Sequence, residues 1–141
     1  MAKRTKKKSR RLSRNTSKKS QTKNQETKLK NILIDIDGTV SEDIPNEEAY
    51  RFANAKVLEG AKESVNKLYN SGNCQITFFT ARTETHRLDT QKWLDKHGFK
   101  YHGLLMGKPR GGNYIWIDNL DVKGIKYDEK KNNWEKILNS I

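Results

Sequence analysis

Residues Asn31 to Val40, running Asn-Ile-Leu-Ile-Asp-Ile-Asp-Gly-Thr-Val, constrain the fold more than any other stretch of this chain. A short run of β-branched and aliphatic residues bounded by turn signals predicts a buried strand of a covered parallel sheet. Two carboxylates interrupt it near its end, and Gly38-Thr39 closes it. Side chains alternate along a strand, so Asp35 and Asp37 leave the backbone on the same side. Two like charges held so close beside apolar residues repel and lose solvation unless something compensates. A divalent cation is the direct compensation, and the carboxyl ends of parallel strands are where open α/β sheets bind ligands. A metal-dependent site is therefore the first expectation.

Charge is placed very unevenly. Residues 1–31 hold 13 of the 29 Lys/Arg and one of the 17 Asp/Glu, Glu26, so the remaining 110 residues balance at 16 of each sign. The formal net charge of +12 thus belongs to an N-terminal tail, and the domain behind it is neutral. Residues 1–30 carry almost no apolar side chains and are expected to be disordered, ahead of a single domain over 31–141. The run Lys3 to Arg11 is dense enough to hold nucleic acid non-specifically by counterion release. No aromatic residue lies in residues 3–30 to stack on bases, so sequence readout is not expected. A solubilising tail with no specific partner fits the same composition. The single Cys74 excludes an internal disulfide and a cysteine-built metal site, and an inert, semi-buried thiol is expected. No stretch approaches the roughly 18 apolar residues of a membrane span, so no membrane partner is expected and the cytoplasm is the expected compartment.

Along the domain, Ser41–Glu59 reads as a polar loop with a short helical turn near Glu47–Ala53. Ala61, Val65, Leu68 and Tyr69 form one face of a helix closed by Gly72. Gln75–Thr80 predicts a second strand, and Glu84–His97 a helix with Thr83 as N-cap and a thin apolar face of Leu88, Trp93 and Leu94. Tyr101–Met106 predicts a third strand, Tyr114–Asp118 a fourth with Trp116 in the core, and a last helix surrounds Trp134, Ile137, Leu138 and Ile141. Alternating strands and helices argue for α/β architecture, a three-layer Rossmann-like sandwich with a mainly parallel sheet.

Asp35, Asp37, Thr80, Lys108 and Asp118 each fall at or just beyond the C-terminal end of an expected strand. In a parallel sheet those ends share one rim, so the five can converge. Carboxylates, a cation, a lysine and a hydroxyl suit a phosphoryl group: metal and lysine neutralise its oxygens while one carboxylate attacks. The order Asp35-x-Asp37-Gly38-Thr39-Val40, Ile76–Thr80, Lys108 and Trp116-Ile117-Asp118 resembles the four motifs of the haloacid dehalogenase superfamily of phosphohydrolases, over roughly residues 31 to 121. Gly107–Gly112 before the Ile-Asp pair is similar to small capless members, some associated with sugar-phosphate or polysaccharide metabolism.

The resemblance implies a phosphatase using Mg²⁺. Asp35 would be the nucleophile, carrying an aspartyl-phosphate, and Asp37 the general acid/base. Mg²⁺ would be held by the Asp35 carboxylate, the main-chain carbonyl of Asp37 and Asp118. Thr80 would bind phosphoryl oxygens and Lys108 would balance their charge. Arg82 and Arg87 could also touch substrate, with Arg82 favoured by its closeness to Thr80; Arg110 beside Lys108 is similar. The fourth motif departs from the usual pattern, since Asn119 follows Asp118 and the next acid is Asp121. Neither the 40 residues between Thr39 and Thr80 nor the gap from there to Lys108 can house a cap domain. An open site suits a macromolecular ester, or a small one such as a sugar phosphate enclosed by a neighbouring subunit of a homo-oligomer.

Rival readings are weaker. The Asp-x-Asp pair alone also fits the metal site of nucleotide-sugar glycosyltransferases, which require neither the Gly-Thr nor the later Thr and Lys. Receiver domains place their acidic pair before the acceptor Asp. Gly107-Lys108 is not a phosphate-cradling loop, because His102 stands where a glycine is needed and Pro109 replaces the hydroxyl residue. His86, His97 and His102 lack metal-ligand spacing and read as surface or packing residues. The alternatives kept are a phosphatase acting on nucleic-acid ends and a non-catalytic domain whose basic tail binds polyanions.

Overall fold

The computed structural model describes residues 28–141. The basic tail expected over 1–30 lies almost entirely outside the described residues. Three parallel strands form the sheet: β1 (Lys30–Ile34), β2 (Cys74–Phe79) and β3 (Gly103–Leu105), in the order β1-β2-β3. Ile34 pairs with Phe78 and Phe78 with Leu104, so one row of side chains crosses the sheet. That row and its neighbours Ile36, Cys74 and Ile76 are buried, while Leu33, Gln75 and Leu105 on the opposite face are exposed. The α/β architecture with a parallel sheet is present as the alternation of elements requires.

Two helices close the buried face. Helix α1 (Ala61–Asn70) contributes Ala61, Val65 and Leu68, and α2 (Arg87–Lys96) contributes Trp93 and Leu94. The expected stripe on the second helix is corrected in one place. Leu88 is 61% exposed, and Thr90 takes the buried position three residues before Trp93. The helix also starts later than expected, after a 3₁₀ turn at Glu84–His86, and Thr83 makes no capping bond. Between β1 and α1 the chain forms a 3₁₀ segment, Asn46–Asn54, whose Phe52 is buried. The Trp93 indole N–H donates to Ala55 O at 3.0 Å, tying α2 to the end of that segment. A last helix, α3 (Trp134–Ser140), packs Trp134 and Ile137 into the same core.

The fourth strand is absent. Residues 114–118 have no regular secondary structure and pair with no strand, and Trp116, expected in the core, is 57% exposed, with Ile117 at 93%. The reason is local. Gly111 (φ 97°), Gly112 (φ 67°) and Asn113 (φ 55°) are successive left-handed residues that turn the chain away before the apolar run begins. A strand-forming composition yields a strand only where an edge is met, because the ladder supplies its hydrogen bonds.

Candidate active site

The acidic box leaves β1 as a tight turn. Main-chain N–H groups of Thr39, Val40 and Ser41 all point to Ile36 O at 3.1, 2.9 and 3.1 Å, and Gly38 N–H donates to Ser41 O at 2.9 Å. Gly38 holds φ at +80°, a region that a side chain disfavours, so the turn after Asp37 requires glycine. Ile36 is fully buried, whereas Asp35 and Asp37 on either side of it keep partly exposed side chains. The alternation read from the sequence therefore extends past the strand itself.

The ends of β2 and β3 are laced together beyond their last ladder pair. Thr80 N–H donates to Leu105 O and Lys108 N–H to Thr80 O, both at 2.9 Å, and Gly107 N–H donates to Arg82 O at 2.8 Å. This lacing delivers Lys108 to the acidic box. Its Nζ lies 2.8 Å from Asp35 Oδ1, which also accepts the N–H of Ile36 at 2.9 Å. The Lys108 ammonium is flanked by the Phe79 and Tyr114 rings, 5.8 and 5.6 Å from their centroids. Thr80 is buried, and its Oγ1 accepts Arg82 N–H at 3.2 Å while its own hydroxyl hydrogen remains to be donated.

Arg82 is placed differently from its sequence reading as a phosphate ligand. It is 0% exposed, and its Nε and Nη2 donate to Asp37 Oδ2 and Oδ1 at 2.9 and 2.8 Å. Nη1 donates to Thr90 Oγ1 at 3.2 Å, and the guanidinium carbon sits 3.8 Å over the Phe52 ring. The guanidinium thus has no solvent-facing surface from which to meet an ester. Arg87 pairs with Glu84 and donates to Leu104 O, and Arg110 lies 3.5 Å from Glu47 on the surface. Thr90 and Phe52 were invisible as site residues in the sequence. The one available signal was a polar residue on the apolar stripe three positions before Trp93.

Asp118 does not join this group. It lies in the exposed segment, accepting the Trp116 indole N–H at 3.1 Å and Leu120 N–H at 3.0 Å. Those two donors, the indole first, hold its carboxyl below the usual range. Among the described residues no three His, Cys, Asp or Glu side chains gather as a metal cage. What remains suits Mg²⁺ only as an open site. It would have Asp35 Oδ2, which no described side chain engages, and the Asp37 main-chain carbonyl, with water and substrate oxygens filling the other positions.

A family model described as PITM 1-3, LNS2 domain matches residues 32–123. The chain belongs to the LNS2 domain family. The LNS2 domain has a haloacid dehalogenase-like phosphatase fold, in keeping with the superfamily that the motif order resembles. The match runs from the latter part of β1 through β3 and takes in the acidic box, Thr80 and Lys108. No curated protein matches this LNS2 domain in sequence. Among solved structures, a Vibrio cholerae target protein is 22% identical with a TM-score of 0.47, over 77% of this chain and 99% of its own. The Pnkp1/Rnl/Hen1 complex contains a chain that is 22% identical with a TM-score of 0.48, over 64% of this chain and 31% of that one. Both lie below the similarity at which an overlay speaks to function.

Proposed function

We propose that this LNS2 domain hydrolyses a phosphate monoester in the presence of Mg²⁺, with Asp35 as nucleophile and no cap over the site. The observation that carries the reading is the 2.8 Å contact between Lys108 Nζ and Asp35 Oδ1, made across the ends of the strands beside Asp37. A carboxylate oxygen of Asp35 attacks phosphorus as the bond to the leaving alcohol breaks, giving an aspartyl-phosphate. Asp37 supplies the proton that the departing oxygen needs. Water then attacks the phosphorus, Asp37 takes its proton, and inorganic phosphate leaves with Asp35 restored. Lys108 offsets charge on the phosphoryl oxygens, and the Thr80 hydroxyl hydrogen is a further donor to them. Bound Mg²⁺, held by Asp35 and the Asp37 carbonyl, would polarise the phosphoryl group. A sugar phosphate is the proposed substrate class.

Phosphate release tests this. Sugar phosphates, nucleotides and end-phosphorylated oligonucleotides should be compared with Mg²⁺ and with excess chelator. Turnover on at least one ester, abolished by chelator and by Asp35→Asn, is expected. Equal release by the Asp35→Asn protein rejects the nucleophile.

A further inference from the structure

The guanidinium of Arg82 is held from three elements at once. Thr90 on α2 accepts from Nη1, the Phe52 ring of the 46–54 segment covers its plane, and its main-chain N–H and C=O are tied to Thr80 and Gly107. A buried cation is costly unless paired. Here the pairing is a two-pronged fork, Nε and Nη2 on both oxygens of Asp37, at 2.9 and 2.8 Å. A fork of that kind fixes the plane of a carboxylate as well as its position, which a single-point lysine contact does not. Among the described residues, the only other side-chain hydrogen bond to Asp37 is a long one, Ser41 Oγ to Oδ1 at 3.5 Å.

From this geometry we infer that Arg82 is a positioning residue: it aims the Asp37 carboxyl at the oxygen of the leaving group, and its own guanidinium does not bind the phosphoryl group. The inference rests on the phosphatase reading, since it needs Asp37 to deliver a proton. Its consequence is selective. An alkyl leaving group must be protonated as it departs and depends on the aim of Asp37. A nitrophenolate leaves without a proton and does not.

The test is single-turnover phosphorylation of Asp35 in the full chain with Mg²⁺, followed on an alkyl phosphate and on p-nitrophenyl phosphate. For Arg82→Gln the expected result is a loss of about a hundredfold or more on the alkyl ester, in line with general-acid contributions. On the nitrophenyl ester the rate should stay within about threefold, with KM little changed on both. Arg82→Lys, which keeps the charge and loses the fork, should recover only part of the alkyl rate. Should Arg82→Gln fail to fold, Thr90→Val removes one anchor only and should produce a smaller loss confined to the alkyl ester. Equal losses on both esters would make Arg82 merely structural, and a rise in KM on both with the rate kept would make it a phosphate ligand. Either overturns the inference. Wild-type protein silent on every ester would defeat the phosphatase reading itself, and the positioning role with it.

Discussion

Lys108 reaches Asp35 across the end of the central strand. The acid follows β1 and the lysine follows β3, yet Nζ and Oδ1 stand 2.8 Å apart, with the lysine's main-chain N–H fastened to Thr80 O after β2. All three strands therefore contribute to one contact, and its loss should be felt in rate more than in folding.

Lys108→Met is expected to lower kcat by roughly a hundred- to a thousandfold, the range for removing one charge-stabilising donor. Lys108→Arg should recover part of it. Steady-state phosphate release checks this, and a change confined to KM would mean that Lys108 binds ester and transition state alike.

Trp93 should be the most costly single core position on α2. It is 1% exposed, stacks on Phe99 and donates its indole N–H to Ala55 O. Trp93→Ala is expected to destabilise by about 3–5 kcal/mol. Trp93→Phe, which leaves the buried carbonyl without its donor, should cost about 1–3 kcal/mol. Urea unfolding of each variant measures both.

Acid should weaken the fold slightly through His97. Burial, then the ammonium groups of Lys96 and Lys62, hold its imidazole below the ordinary value. The unfolded chain then binds the proton more readily than the folded one. The contribution is complete above about pH 6.5, the unfolded value, and is lost as pH falls through the lower folded value. The ring is only partly covered, so the loss is small. Thermal midpoints at pH 7.5 and 5.5 should differ less for His97→Gln than for the native chain. An unchanged difference would assign the acid sensitivity to other groups.

The exposed stretch around Tyr114 and Trp116 should be cut first by chymotrypsin, while Trp93, Phe78 and Phe99 stay protected in the core. Mass analysis of brief digests shows the order of cleavage. Early cuts after the core aromatics would contradict the packing described here.

The spacing of apolar residues made α1 and α3 legible in the sequence, and short β-branched and aromatic runs bounded by turn signals made β1 and β2 legible, although the exposed face of β1 was read as covered. The rim carrying Asp35, Thr80 and Lys108 was legible for the same reason, since parallel strands share an end. Two things were not. Tyr114–Asp118 has the composition of a strand, but composition does not encode the three left-handed residues that steer it away from the sheet. Arg82 reads as a substrate-facing cation in one dimension. Its pairing with Asp37 depends on Thr90 and Phe52 closing around it, which only the packed molecule reveals.

That enclosure has an evolutionary corollary. With Arg82 sealed from water against Asp37, replacing Asp37 alone strands a guanidinium in the interior. Lineages descended from such a chain should lose or exchange the two positions in concert, leaving a covarying pair as the signature of members that have abandoned the chemistry.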